Sequence, residues 1–175
     1  MPDPKEMSGI PRPVDDLPTE ALACGWMKKR QGDPWVSPPV YGRSLRGLGI
    51  NLLVRETART VTFATDVLGL TIVYSDPDLA VLRHGEHEWM VHADHTYDAH
   101  PLLPRTRVAA LRGGGIELRV HDVDPDAAVA AARAGGYEVL EHPADKPHGL
   151  REAYILDPDG YVWVPDLPSL SKWNV

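Results

Sequence analysis

A six-residue segment occurs twice in this chain, and the two copies stand sixty-six residues apart. Residues 49–54 read Gly-Ile-Asn-Leu-Leu-Val, and residues 115–120 read Gly-Ile-Glu-Leu-Arg-Val. In each copy a glycine stands fifteen residues after the final valine of the segment, and another valine stands nineteen residues after that same valine. Internal repetition constrains architecture more strongly than any single local propensity. The chain is therefore predicted to contain two modules of like fold.

The patterns that follow each repeated segment predict the same order of elements in both copies. Each copy has a helix-like run, a β-rich run, and then two alternating strands joined by a turn. The predicted helices are 57–68 and 125–134, and the later strands are 70–74, 79–82 and 88–92 in the first copy and 137–140, 152–156 and 161–165 in the second. Each module therefore reads β-α-β-β-β, and a loop over about residues 96–114 joins the two.

The region before the first module differs in composition. Residues 1–44 hold eight of the seventeen prolines of the chain, and we treat them as an N-terminal arm to a domain at 45–175. Because proline fixes φ and restrains its predecessor, residues 34–39 are predicted to be extended, and only 19–29 is predicted as a short helix. The arm also carries aromatic side chains that are costly to leave in solvent, namely Trp26, Trp35 and Tyr41. We expect the arm to pack on the domain or on a partner subunit.

Composition excludes several classes of protein. The net charge of −7 argues against a nucleic-acid partner, and no run of basic residues is longer than residues 28–30. No apolar stretch approaches 18 residues and no signal-peptide pattern is recognised, so a membrane partner is not expected and a cytoplasmic location is predicted. Cys24 is the only cysteine, which rules out an intrachain disulfide or a cysteine-based zinc cluster.

Several segments together resemble the vicinal oxygen chelate superfamily. This superfamily includes glyoxalase I, extradiol dioxygenases, fosfomycin resistance enzymes and bleomycin resistance proteins. The resemblance rests on Asn51-Leu52-Leu53-Val54, Phe63 with Val67-Leu68-Gly69-Leu70, His121-Asp122-Val123-Asp124, the Gly135-Gly136 turn, and Asp157-Pro158-Asp159-Gly160-Tyr161-Val162-Trp163. It implies an α+β fold, in which tandem β-α-β-β-β modules (46–95 and 113–168) form a curved mixed sheet around a pocket. One fold hosts many chemistries, so the resemblance alone does not fix the function.

The metal positions of the family are where this sequence departs from the pattern. Family enzymes place His and Glu ligands at positions that correspond here to Gly49, Met90, Gly115 and Val164. These side chains do not supply the nitrogen and oxygen donors that a catalytic divalent ion requires. No cofactor is therefore expected, and the chain resembles the bleomycin resistance branch, which binds its drug in a metal-free cleft of a dimer. We accordingly expect a homodimer.

Polar residues occur two positions beyond each empty ligand position. Side chains two apart on a strand face the same way, so these residues share a predicted face. They are Asn51, His92, Glu117 and Asp166, with Tyr154 as a further candidate for the pocket wall. Three interpretations stay open: a floor that orients an organic ligand, with His92 and Glu117 as proton donor and acceptor, a displaced site for a divalent metal, or strand ends that are polar by chance.

Other conspicuous residues are given structural roles. The turn 157–160 has the sequence of a type I turn, so its carboxylates are explained by backbone geometry. Trp89 and Trp163 are predicted to face the module helices. His92 and His95 are three residues apart, and in a strand they face opposite ways, so they are not expected to share a ligand.

The sequence thus predicts a protein that binds a small organic ligand, without fixing whether it is an enzyme. The rival interpretation is a metal-dependent lyase, isomerase or ring-cleaving dioxygenase that uses the displaced site. A third is a structural or regulatory protein whose arm mediates assembly and whose pocket is vestigial. Metal content of the purified protein discriminates the first two, and a ligand found in the pocket separates both from the third.

Overall fold

The computed structural model of the protein describes residues 28–97, 99–107 and 112–169. It contains four α-helices and eight β-strands within these ranges. The helices are α1 Pro38–Ser44, α2 Thr57–Asp66, α3 Leu103–Thr106 and α4 Pro125–Ala134, and a short 3-10 turn covers Asp94–Thr96. The strands are β1 Asn51–Val54, β2 Thr71–Ser75, β3 Leu79–His84, β4 His87–Ala93, β5 Glu117–His121, β6 Val139–Asp145, β7 Leu150–Leu156 and β8 Val162–Pro168. Within these ranges, every helix is too short or too polar to cross a membrane.

The strands form two separate four-stranded sheets of identical topology. The first sheet has the order β1-β4-β3-β2, and the second has the order β5-β8-β7-β6. In each sheet the first strand pairs in parallel with the last, and the other neighbours pair antiparallel. The predicted α+β fold of tandem β-α-β-β-β modules is thereby confirmed.

One helix covers one face of each sheet, and the two modules share a hydrophobic core. In α4 the buried residues recur at helical spacing as Pro125, Ala128, Val129 and Ala132, and Asp124 caps the helix by accepting a hydrogen bond from the backbone N–H of Asp126 at 2.9 Å. Core contacts cross between modules, because the ring of Phe63 on α2 lies 6.1 Å from Trp163 on β8. Trp163 lies in turn 5.9 Å from Trp89 on β4, in agreement with the core role predicted for this pair.

The equal spacing of the two sequence copies does not extend through the whole module. α2 begins three residues after Val54, whereas α4 begins five residues after Val120. The longer loop holds Asp122, whose φ of 60° is left-handed, and the helix cap Asp124. In the first module the glycine that follows the helix with a left-handed φ is Gly69. In the second module it is Gly136 rather than Gly135.

A buried ionic contact joins the modules to the loop between them. Arg112 donates to both carboxylate oxygens of Asp94, at 2.8 and 2.7 Å, and its Nε lies 3.2 Å from Asp159. Asp159 is fully buried and also accepts from the backbone and side chain of Arg55. Its neighbour Asp157 accepts backbone hydrogen bonds within the turn and one from the Trp163 indole. The prediction that backbone geometry explains the carboxylates of this turn is therefore incomplete, because Asp159 also contacts two arginines and Asp157 also binds the Trp163 indole.

Residues 28–44 are the part of the arm that the structure describes. Residues 28–37 form neither helix nor strand and bend at 32–33 and 35–36, and α1 then begins at Pro38, so the prediction of extended chain over 34–39 is wrong. The physical reason is that proline is tolerated in the first turn of a helix, where its missing N–H has no helical partner. Trp26 and nearly all of the helix predicted at 19–29 lie outside the described residues, and Lys28 and Lys29 are not helical.

Candidate functional site

The face of the first sheet opposite α2 carries a cavity. Along β4, Val91 and Ala93 pack in the core. Side chains alternate along a strand, so Met90 and His92 face the other side of the sheet. Leu79 on β3 and Tyr74 on β2 lie on the same side, and all four line a cavity of about 300 Å³. We call this space the first-sheet cavity.

The arm forms the opposite wall of the first-sheet cavity. Trp35 stacks on Tyr74, with ring centroids 5.2 Å apart and planes 12° from parallel, and Tyr41 lies 5.8 Å from Trp35. Tyr97, just after β4, adds a fourth aromatic ring to the lining. The cavity is therefore bounded mainly by aromatic and apolar side chains, with a few polar groups among them.

Asp78 fastens the start of the described arm to the sheet. It is 3% exposed, and its carboxylate accepts hydrogen bonds from the backbone N–H groups of Lys29 and Arg30, at 2.7 and 3.3 Å. His95 also contacts it, at 2.8 Å. Burial acts to raise the pKa of Asp78, but these hydrogen bonds outweigh it and leave the pKa below its ordinary value. The arm is thus held by an ionised carboxylate at one edge of the cavity.

His92 is a polar group on the cavity floor, and it is oriented by Asn51. The Nδ1 atom of His92 lies 2.7 Å from the amide oxygen of Asn51, whose amide nitrogen donates to the hydroxyl of Tyr97 at 3.2 Å. Burial lowers the pKa of His92, and His100 lowers it further, although Asp76 acts in the opposite direction. The imidazole is therefore neutral at pH 7, which suits a hydrogen-bond acceptor or a general base. His92 and His95 have different partners, and His95 lies in the 3-10 turn after β4 rather than on the strand, so the strand argument from their spacing does not apply.

The corresponding face of the second sheet carries charged groups instead. Arg119 on β5 donates to Glu117 at 3.1 Å, to Asp166 at 3.3 Å, and to Glu152 through a short hydrogen bond. Glu152 and Asp166 are each 1% exposed. The outer members of this group are His121, which lies 2.8 Å from Asp166, His148, which lies 3.2 Å from Glu152, and Tyr154, which donates to Glu152 at 2.9 Å. We call these seven residues the second-sheet network.

The five residues predicted from the sequence are divided between the two sheets. Asn51 and His92 are in direct contact on the first sheet. Glu117, Asp166 and Tyr154 lie on the second, where Arg119 and Glu152 link them to one another. The register explains the second group, because Glu117 pairs with Val162 while Asp166 pairs with His121 at the other end of the strand. The predicted floor of four adjoining residues is thus two polar groups.

Sequence reasoning missed the residues that organise each group. Arg119 and Glu152 were recoverable in principle, since each lies two residues from a predicted residue on the same strand and so shares its face. Tyr74 and Tyr97 gave no comparable signal, because their place in the cavity depends on contacts between distant segments.

Another cavity, of about 620 Å³, lies between the modules. Its apolar lining includes Trp89 and Trp163, which belong to the shared core. Its polar lining residues are largely engaged, since Glu88 pairs with Arg83 and Glu117 with Arg119. In the described part of the chain, no group of three or more His, Cys, Asp or Glu residues is placed to hold a metal ion.

Comparison with known proteins places this geometry in a family context. The sequence model of the Glyoxalase/Bleomycin resistance protein/Dioxygenase superfamily matches residues 48–164. A comparison with curated proteins gave no match.

Solved structures of low sequence identity share the fold. TioX from Micromonospora sp. ML1 is 21% identical over 72% of this chain and 98% of its own, with a TM-score of 0.51. A glyoxalase/bleomycin resistance protein/dioxygenase family enzyme from Burkholderia phytofirmans PsJN is 18% identical over 69% and 96%, with a TM-score of 0.57. A glyoxalase-related enzyme from Fulvimarina pelagi is 20% identical over 70% and 88%, with a TM-score of 0.55. At these identities the likeness establishes the fold alone.

Proposed function

Since this chain belongs to the glyoxalase/bleomycin resistance protein/dioxygenase superfamily, we propose that it binds a small organic ligand in the first-sheet cavity, without the metal that family enzymes use. The observation that carries this proposal is the lining of that cavity. Trp35, Tyr41, Tyr74 and Tyr97 supply aromatic surface, and His92 supplies a polar group on the floor. Ligand sites in proteins combine these features, and a volume of about 300 Å³ lies at the lower end of their usual range.

The aromatic lining indicates the class of ligand. Trp35 and Tyr74 stack on each other, so their facing surfaces are already in contact. Four aromatic rings in the lining favour a ligand with an aromatic ring, because such a ring forms edge-to-face or offset-stacked contacts with them. Met90, on the floor, adds a polarisable side chain that adapts to the shape of the ligand.

A metal-dependent activity at the displaced positions is the alternative, and the second-sheet network supplies its carboxylates and histidines. Arg119 already occupies the space between Glu117, Glu152 and Asp166, with its guanidinium bonded to all three. A divalent cation there would have to displace a charged and hydrogen-bonded group. This occupation by Arg119 supports the metal-free proposal over the alternative.

Assembly as a homodimer is also part of the proposal. Ile50 and Ile116 are equivalent in the repeat, are 41% and 53% exposed, and directly precede the edge strands β1 and β5. Exposed apolar residues beside an unpaired strand edge favour association with a second chain. Light scattering on the purified protein is expected to give twice the mass of the chain, and Ile116→Lys is expected to lower it. The cytoplasmic location remains a prediction of the sequence.

A cavity-filling variant tests where the ligand binds. We expect 2-methoxynaphthalene, titrated into the isotope-labelled protein, to shift the ring signals of Trp35 and Tyr74 in NMR spectra in a saturable way. Met90→Trp fills the floor of the cavity and is expected to abolish these shifts. Glu117→Ala, on the second sheet, is the matched control and should leave them unchanged. Shifts that survive in Met90→Trp, or that vanish in Glu117→Ala, would move the binding site elsewhere.

Elemental analysis tests the metal-free part of the proposal. The purified protein is expected to hold no stoichiometric iron, manganese or zinc. A bound metal that is lost when Glu117 and Asp166 are both changed to Ala would favour the metal-dependent alternative instead.

A further inference from the structure

The contact between His92 and Asn51 fixes which ring nitrogen carries the proton. The amide nitrogen of Asn51 donates to Tyr97, so its amide oxygen is the atom that faces Nδ1 of His92, 2.7 Å away. An amide oxygen has no proton to give, and a hydrogen bond at this distance needs one. The proton therefore lies on Nδ1 of His92.

The other nitrogen of the ring follows from this assignment. A neutral imidazole with its proton on Nδ1 has an unprotonated Nε2, which acts only as an acceptor. Within the part of the chain that the structure describes, Nε2 has no hydrogen-bond partner, although His92 lines the first-sheet cavity and is only partly exposed. Burial keeps the ring neutral by lowering its pKa.

Resting on the proposed function, we infer that the first-sheet cavity selects an aromatic ligand that carries an O–H or N–H donor, and that Nε2 of His92 accepts its hydrogen bond. A half-buried acceptor with no protein partner discriminates strongly between ligands. A ligand with a donor satisfies it, whereas an ether of the same shape leaves it desolvated and unpaired. His92 is thus the specificity-determining residue, and Asn51 is a positioning residue that acts through it.

The hydroxyl of Tyr97 completes the polar side of the cavity. Because it accepts from the Asn51 amide, its own proton points elsewhere, and no described residue accepts that proton. The Tyr97 ring also lies 5.4 Å from the His92 ring, which confines the imidazole on one side. On this side of the cavity a ligand therefore meets an acceptor on His92 and a donor on Tyr97.

A matched pair of probes tests the selection. 2-Naphthol and 2-methoxynaphthalene have the same ring system, and only the former has an O–H donor. We expect 2-naphthol to bind about tenfold more tightly to the wild-type protein, the effect of one hydrogen bond. His92→Phe keeps an aromatic ring but removes the acceptor, so this ratio is expected to fall to about one. His87→Phe, at the exposed first residue of β4, is the matched control and should keep the wild-type ratio.

The tautomer is measured directly, without any ligand. Long-range ¹H–¹⁵N spectra of the free protein are expected to show His92 protonated on Nδ1 alone. In Asn51→Leu the Nδ1 preference should weaken, and the 2-naphthol ratio should fall with it while Trp35 and Tyr74 still report binding of the ether. A purely structural role of Asn51 would leave the tautomer unchanged.

The outcomes separate this inference from the proposed function. Equal binding of both probes in the cavity, or a proton on Nε2 in the free protein, would overturn the inference and leave the ligand-binding proposal standing. If neither probe shifts the signals of the cavity residues, the proposed function fails and the inference falls with it.

Discussion

The two sheets of this protein have the same topology, but the faces they turn away from their helices differ in chemistry. On the first sheet that face is aromatic and apolar, and the arm covers it through Trp35 and Tyr41. On the second sheet it is ionic, with Arg119 bonded to three carboxylates. Equivalent backbone positions therefore carry unrelated side-chain chemistry.

The difference shows that the two faces of each sheet are under different packing constraints. The helix-facing residues of both modules meet the same requirement, because they must fill one shared core at interior packing density. The opposite faces are free of that constraint, so one carries an aromatic-lined cavity and the other a hydrogen-bonded ionic cluster. Within this cluster, each buried carboxylate has an arginine and a histidine as partners.

The two modules share one hydrophobic core, and breaking the ionic link between them is expected to have the largest effect on stability. Arg112→Met keeps an apolar stem of similar size but leaves Asp94 unpaired and Asp159 with Arg55 alone. Removing one partner of a buried ion pair costs about 3–5 kcal/mol of unfolding free energy. Denaturant unfolding, followed by separate probes for each module, measures this cost.

Arg105→Met provides the control for this substitution. Arg105 is an exposed arginine in α3, within the same connecting segment. Its replacement is expected to change stability by less than about 0.5 kcal/mol. A similar small loss in Arg112→Met would mean that the two modules are held together by the apolar core alone.

The second-sheet network gives the next effect, which depends on pH. Burial acts to raise the pKa of Glu152, but hydrogen bonds from Arg119, Tyr154 and His148 outweigh it, so the pKa lies below its ordinary value. The native protein therefore holds this carboxylate ionised, and the resulting stability is present above about pH 4.5 and is lost as pH falls through the lower native pKa. Glu152→Gln is expected to cost about 2 kcal/mol at pH 7 and progressively less under acid conditions.

Glu117→Gln sharpens this test, since Glu117 binds the same arginine from an exposed position, with 48% of its side chain accessible. An exposed ion pair contributes about 0–1 kcal/mol, so this change should have little effect at any pH. Urea unfolding at pH 7 and below pH 4 measures both variants. If the Glu152→Gln difference stays constant with pH, the charge on Glu152 does not contribute to the stability of the second sheet.

The aromatic cover of the first sheet gives the smallest of the three effects. Trp35→Ala removes the stack on Tyr74 and the contact with Tyr41, and an aromatic pair contributes about 1 kcal/mol beyond its buried area. Leu48→Ala, at a residue that is 94% exposed, is the control and should be neutral. Thermal unfolding measures both. Equal melting temperatures for Trp35→Ala and the wild type would mean that the arm covers the cavity without stabilising it.

Much of the fold was predictable because its signals are local or periodic. Helix α4 was predicted at its observed bounds, since its residues recur at helical spacing between Asp124 and Gly135. The β3–β4 hairpin followed from two strand-like runs on either side of a turn. The loop before α4 is two residues longer than the loop before α2, and this difference was missed. The equal glycine spacing concealed it, because the segment between the end of the helix and the left-handed glycine is shorter in the second module.

The candidate site was predictable only in part. Alternation placed His92 and Asn51 on one face, and they do touch. It did not reveal that Arg119 and Glu152 stand among the other predicted residues, because a pattern of faces gives no distances along neighbouring strands. That information lies in the register, which pairs Asp166 with His121 and Glu117 with Val162.

By itself the sequence determined that this protein contains two β-α-β-β-β modules, and its family resemblance placed Gly49, Met90, Gly115 and Val164 at the usual metal positions. These properties depend on residue identity and on spacing along the chain, which the sequence states directly. Tertiary structure alone decided that Trp35 stacks on Tyr74 and that Asn51 orients His92. Such contacts join segments about forty residues apart, and they arise only when the packing of the core fixes where each segment runs.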